Sequence, residues 1–219
     1  MSQLITSTNE RFEKYDFGYM VQGLYDFWLK ELADFYIEAI KPVMKGNDAD
    51  AKKAALNTLY ICLDSALRML HPTMPYLTEE LFQRLPHIHG EAPESICIAP
   101  FPTSLVSFAD EGVEAKMASL QLTVSKFRSQ FAALNIAKNV SPSIYIRVSN
   151  PDLNSAFSSQ TDVFTSLIKS GDCKVISASD ADPAGCVKNF INDDITIFVM
   201  VAGFVDIKLE MDRVTKRNT

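Results

Sequence analysis

The sequence is poor in the features that usually announce chemistry. Its 219 residues include 8 glycines, 1 tryptophan, 3 histidines and 4 cysteines. No G-x-x-x-x-G-K-[ST], G-x-G-x-x-G or G-x-S-x-G string occurs, which excludes those phosphate-cradling loops and the nucleophile elbow. Cys62, Cys97, Cys173 and Cys186 form no C-x-x-C pair, so they read as reduced thiols of a cytosolic protein. No apolar run reaches 18 residues, so a spanning helix is excluded and no membrane partner is expected. The opening MSQLITSTNERFEK has no apolar stretch behind basic residues, so no secretory signal is expected.

What is present is an ordinary globular composition, 47% hydrophobic and 22% charged, enough for one large or two small domains. The net charge of −6 is unevenly spread. The first 110 residues hold 9 Lys and Arg against 15 Asp and Glu, and the remainder holds 12 of each. A strongly basic nucleic-acid binder is therefore excluded.

Residues 3–45 have helical spacing, with Val21, Leu24, Phe27, Trp28, Leu32, Phe35, Ala39 and Val43 on one apolar face. Lys30 and Asp34 are spaced for an i,i+4 pair. Asp16 and Gly18 could divide the segment, and Pro42 and Gly46 end it. A second helix is expected from Ala51 to Leu70, capped by Asp50, with Ala55, Leu59, Leu63, Leu67 and Leu70 buried. A short helix follows from Thr78, taken as its cap, to Pro86. Pro86, Pro93, Pro100 and Pro102 mark residues 86–110 as an extended linker, with a domain boundary near Ala109.

The second half changes period. Val113–Leu134 reads as a helix, Ile144–Val148 as a strand, Val163–Ile168 as a short helix and Cys173–Ile176 as a strand. Val187–Phe190 and Ile195–Val201 flank Asn192-Asp193-Asp194 as a hairpin. The last strand is apolar on both faces, so it should be central or doubly covered. The fold class expected is α+β: an all-α bundle over 1–109, then a small mixed α/β domain over 110–219 with a mainly antiparallel sheet, leading into a truncated helical arm.

No catalytic residue is proposed from these patterns. His87 and His89 form an H-x-H with Cys97 nearby, but a full zinc ligand set is missing and no metal is expected. His71 reads as a turn histidine, and Asp64 as the i,i+4 partner of Arg68. Tyr25, Phe27, Trp28, Phe35 and Tyr36 could stack on bases, but their helical spacing makes most of them core. Lys41, Lys45, Lys52 and Lys53 surround the turn between the two long helices and could converge on one edge of a bundle; the alternative is a solvated turn. Lys116, Lys126, Arg128 and Lys138 punctuate the helix that opens the second half, where a solvated face is the simpler reading.

Three stretches carry more than composition: FWLKELADFYIEAIKP at Phe27–Pro42, LRMLHPTMPYLTEELFQRLP at Leu67–Pro86, and ESICIAPFP at Glu94–Pro102. In this order and spacing they resemble the anticodon-binding domain of valyl-tRNA synthetases (valine–tRNA ligases) of the cytosolic eukaryotic type. The W-x-x-E-L-x-D-x-Y-x-E-x-x-K-P run from Trp28 to Pro42 and the L-H-P-x-M-P-[YF] string from Leu70 to Tyr76 look specifically valyl. Isoleucyl and leucyl relatives share the bundle. Phe82 stands where many valyl enzymes have Trp. After residue 110 the resemblance thins to the helix around Phe127 and Arg128, the strand 144–148 and the Val205-Asp206 step, which matches the start of the family's helical arm.

The resemblance implies a class I synthetase that activates valine with ATP, charges valine tRNA and edits mischarged threonine in the cytoplasm. The family's H-I-G-H and K-M-S-K-S type signatures and its editing domain are absent here. This piece is therefore expected to be non-catalytic and to need no cofactor, with ATP used only by the full-length enzyme. Its expected partners are the anticodon region of valine tRNA and the catalytic and editing domains of the same parent chain. By the same resemblance, the edge Pro42–Asp48 faces the anticodon, which makes Lys41 and Lys45 the first candidates for RNA contact and Lys52 and Lys53 the second. The competing expectation is a protein-interaction scaffold that keeps the bundle without binding RNA.

Overall fold

A computed structural model describes residues 1–86, 93–103, 109–136 and 140–203. The chain divides into two compact units, Met1–Ala109 and Asp110–Thr219. His87, His89, Lys138 and the Val205-Asp206 step lie outside the described residues.

The first unit is helical. Helix α1 (Ser2–Glu13) ends at a corner where Tyr15 takes φ 57°, and α2 (Phe17–Asp26) begins beyond it. From Phe27 to Tyr36 the chain is π-helical, and α3 (Ile37–Ala39) continues it. Backbone angles stay in the right-handed helical region through Asp26, Tyr36, Ile37 and Ile40, so residues 17–40 form one rod. The π-helix changes which residues share a face, because its hydrogen bonds run i to i+5. Phe27 and Leu32, five apart, are both buried, while Val21 is 42% exposed, against the 3.6-period reading that placed Val21 in the core. Lys30 pairs with Asp26 rather than with Asp34, Nζ to Oδ1 2.8 Å. That order, acid before base at i,i+4, is also the better one for a helix.

Helix α4 (Lys41–Lys45) ends at Gly46, whose N–H donates to the carbonyls of Pro42 and Val43. Helix α5 (Ala49–Leu70) is capped by Asp48 rather than Asp50: the Asp48 carboxylate accepts from the N–H groups of Asp50 and Ala51, both 3.0 Å. Asp48 has extended φ/ψ while Asp50 is already helical, and only the former geometry aims a side chain back at the free amides. Leu67 lies in the core as expected, but Ser65, Ala66 and Met69 share it, and Leu59 and Leu63 are only half-buried. Helix α6 (Pro75–Phe82) starts three residues before the expected cap, so Thr78 sits inside it, fully buried, with its hydroxyl donating to the Met74 carbonyl.

Part of the expected linker is a packed strap. A single 3-10 turn (Ile96–Ile98) buries Ile96 against Leu67 and Phe82. Glu79 on α6 holds it by accepting from Ser95 Oγ (2.7 Å) and the Ile96 amide (3.0 Å). These bonds, Ser95 first, and the Gln83 amide hold the Glu79 carboxyl below its ordinary range. Asp64 and Arg68 do pair, at 3.0 Å, and Arg68 also covers the Phe82 ring and reaches the Pro100 carbonyl.

The second unit is a four-stranded sheet with helices. It runs α7 (Glu111–Ala133), β1 (Ile144–Val148), α8 (Pro151–Ser158), α9 (Thr161–Ile168), β2 (Cys173–Ser177), β3 (Cys186–Phe190) and β4 (Ile195–Met200). Helix α8 went unread in the sequence, although Asn150 caps it and Pro151 opens it. Strand order is β2-β1-β4-β3. The β1–β4 and β3–β4 pairs are antiparallel and β1–β2 is parallel, so the sheet is mixed. The α8–α9 crossover returns the chain in the direction of β1, which a tight hairpin cannot do.

The central strands β1 and β4 supply the core. Ile144, Ile146 and Val148 face Val199, Ile197 and Ile195 in register, all at most 2% exposed. Phe157 and Phe164 meet edge to face at 5.0 Å under the helices. On the other side of the sheet Phe198 is buried beneath two cations, Arg147 at 4.9 Å and Lys188 at 5.7 Å, both paired with Asp182. Gly171 fits a close backbone approach: a Cβ there would lie 2.6 Å from the Ser141 carbonyl oxygen.

Candidate nucleic-acid interface

The four candidate lysines lie on either side of the Gly46–Asp48 turn. Lys41 and Lys45 bound α4; Lys52 and Lys53 sit in the opening turns of α5, and α4 packs on α5. The turn is rigid for local reasons. Pro42 fixes the start of α4, Gly46 closes it, and the Asp48 cap with the Lys52 N–H to Asp48 carbonyl bond (3.2 Å) starts α5.

The structure separates these residues by their bonding. Lys41 is engaged: its Nζ lies 2.5 Å from Glu38 Oε1. Lys45, Lys52 and Lys53 make no ion pair among the described residues, and Lys45 and Lys53 are exposed. Free ammonium groups can neutralise phosphates; Lys41 must first leave a carboxylate. Asp48 and Asp50 stand in the same turn, so the local field is mixed.

The aromatic candidates also divide. Phe27 is core, and Trp28 packs half-buried between the clusters around Leu32 and Leu67, with its Nε1 unpartnered among the described residues. The Tyr36 hydroxyl donates to the Ala55 carbonyl at 3.0 Å, and burial pushes its pKa up. Tyr25 is exposed.

Sequence reasoning missed a different aromatic group. At the α1–α2 corner Phe12, Tyr15, Phe17 and Tyr19 are 47%, 81%, 46% and 66% exposed. Phe17 stands edge-on to Phe12 (5.6 Å) and Tyr15 (6.1 Å). Arg11 lies over the Tyr19 ring at 4.9 Å and pairs with Asp16 at 3.0 Å. The density of aromatics in residues 12–19 was the available signal. This corner and the lysine turn close opposite ends of the rod 17–40, roughly 30 Å apart at about 1.5 Å per residue.

In the second unit Arg128, Arg147 and Lys188 are engaged, while Lys116 and Lys126 are exposed and make no ion pair among the described residues. Arg128 donates through Nε and Nη2 to the Leu167 carbonyl (3.2 and 2.9 Å) at the end of α9, beside a concavity of about 680 Å³. Among the described residues no group of His, Cys, Asp and Glu could hold a metal ion, and no helix is long and apolar enough to cross a membrane.

Lysines without ion pairs among the described residues stand at one end of the rod and exposed aromatics at the other. Residues 1–149 match the family described as the anticodon-binding domain of tRNA ligase, and this chain belongs to that family. The match extends past the boundary at Ala109 through α7 and β1. The chain is 34% identical to the human valine–tRNA ligase over 215 residues, 97% of this chain. It is 35% identical to the mitochondrial valine–tRNA ligase of Saccharomyces cerevisiae over 211 residues (95%), and 30% identical to that of Clostridium acetobutylicum over 217 residues (98%). It spans 17%, 19% and 24% of the length of these relatives.

Proposed function

We propose that this chain is the anticodon-recognition region of a valine–tRNA ligase, and that its partner is valine tRNA. The observation that carries the reading is the match along nearly its whole length to relatives named for that single amino acid. In the parent enzyme, catalytic and editing domains elsewhere in the chain would activate valine with ATP, charge the tRNA and remove threonine. The cytoplasm is the compartment that reduced thiols favour, although one relative is mitochondrial.

Within the bundle, Lys45, Lys52 and Lys53 are the proposed contacts, with Lys41 joining them by exchanging Glu38 for phosphate. Three or four charges neutralise few phosphates, so the isolated chain should bind weakly, with a log–log salt slope of about −3. In the parent enzyme further contacts to the same tRNA raise the effective concentration and hence the avidity.

The test is a low-salt titration of valine tRNA against an unrelated tRNA and against valine tRNA with an exchanged anticodon. Preference for the native anticodon is expected. Lys45→Glu should weaken binding while the melting temperature stays fixed, because the side chain is exposed and unpaired; the salt slope should fall by about one for each phosphate left without its cation. Equal binding of all three RNAs would overturn the reading. It would favour instead a protein-docking scaffold, which the acidic balance of the first 110 residues and the exposed aromatic corner also suit.

A further inference from the structure

The four free thiols divide by environment. Cys173 is buried, and desolvation pushes its pKa up to about 12. Burial also pushes up Cys62 and Cys186. Cys97, on the strap, is exposed, and an imidazole stands beside it: His71 Nε2 lies 3.2 Å from Cys97 Sγ.

The histidine is oriented by a third residue. His71 Nδ1 is 2.7 Å from Thr78 Oγ1. The single Thr78 hydroxyl proton is directed at the Met74 carbonyl, 2.9 Å away. With that proton on the carbonyl, Thr78 accepts from His71, an arrangement that places the ring proton on Nδ1 and leaves the Nε2 lone pair facing the thiol. This protonation pattern is assigned from the hydrogen-bond network.

Nucleophile, base and orienting group thus stand in order along Cys97, His71 and Thr78, the arrangement that activates a thiol. We propose that Cys97 is a modification site, at which His71 assists thiol–disulfide exchange with low-molecular-weight disulfides. The Cys97 proton passes to His71 Nε2 and the sulfur attacks one sulfur of RS–SR. The Cys97–S–SR bond forms as the S–S bond breaks. The leaving RS⁻ takes the proton from Nε2 and departs as RSH. The disulfide is the oxidant, and the resting imidazole is restored. The adduct forms on the strap that Glu79 ties to α6 through Ser95 and Ile96. The proposal does not depend on RNA binding.

The test uses the whole 219-residue chain with oxidised glutathione as probe and peptide mapping by mass spectrometry. Rates at each cysteine are compared in the native chain and in urea at the same pH. An exposed thiol without a base reacts no faster native than unfolded. An assisted one should react faster, by on the order of tenfold, because the adjacent imidazole takes the proton as the sulfur attacks. Cys97 should be modified first, while Cys62, Cys173 and Cys186 react more slowly native than unfolded. His71→Gln should return Cys97 to its unfolded rate. If Cys97 reacts no faster in the native chain, or if His71→Gln leaves a folded chain equally reactive, the proposal fails. Should that variant not fold, the native-to-unfolded ratio of the unsubstituted chain decides alone.

Discussion

The helical unit leaves about half of its aromatics exposed, and the sheet unit buries most of its own. In the first unit Phe12, Tyr15, Phe17, Tyr19, Tyr25 and Tyr76 are each at least 46% exposed. In the second, Phe127, Phe157, Phe164 and Phe198 are each at most 1% exposed, and Phe190 is the one large aromatic exposed among the described residues. The difference is one of architecture. A few helices meeting along narrow stripes leave much of each circumference without a partner. A sheet covered by helices on one face, with Arg147 and Lys188 lying over Phe198 on the other, closes on itself. The bundle therefore keeps exposed rings where the sheet unit buries most of its own.

Substitution in each unit tests this contrast. Phe164→Ala should cost the second unit about 3–5 kcal/mol, because the ring is fully buried against Phe157. Tyr15→Ala in the first unit should change stability by less than about 0.5 kcal/mol. Urea denaturation read unit by unit measures both; equal losses would erase the distinction. Gly171→Ala should cost about 1–3 kcal/mol, since a methyl group would meet the Ser141 carbonyl and the backbone must shift. Retention of the wild-type urea midpoint would show that the approach is loose.

Smaller effects refine the picture. Asp48→Ala should cost about 1 kcal/mol by freeing the Asp50 and Ala51 amides, visible as a lower melting temperature of the helical signal. Asp50→Ala should do much less, which separates the observed cap from the one expected by sequence. The smallest effect concerns pH. Hydrogen bonds from Arg147, then Lys188, hold the Asp182 carboxyl below its ordinary range. A depressed folded pKa stabilises above the unfolded value, and that stability is lost as pH falls through the folded value. Acid titration of the second unit should therefore show a loss below about pH 4 that Asp182→Asn reduces; an unchanged acid limb would mean the bridge is idle.

Much of the fold was legible because hydrophobic period is a local property. Helices at 49–70 and 111–133 and strands at 144–148, 173–177 and 195–200 follow from it with small errors at the ends. The misses have physical causes. The π-helix rotates residues 27–36 by a change of hydrogen-bond partner that no residue type announces. Helix α8 is short and buries one residue, Phe157. The strap looked like a linker because Ile96, Ile98 and Phe101 stand among prolines without helical or strand spacing, and only contact with Leu67 and Phe82 gives Ile96 a place. Of the lysine group, the clustering was readable but the engagement of Lys41 by Glu38 was not.

The order of residues alone sets the class of fold, the division into a helical and a sheet-bearing half, and the family, because period, capping residues and motif strings are written in consecutive positions. Packing in three dimensions sets what those residues can do. It left Lys45, Lys52 and Lys53 without ion pairs among the described residues, put the aromatic corner at the far end of a rod, and brought His71 within 3.2 Å of a cysteine 26 positions away. The reason is that burial, ion pairing and proton transfer depend on which groups meet in space, and a folded chain selects those neighbours only after its helices have packed.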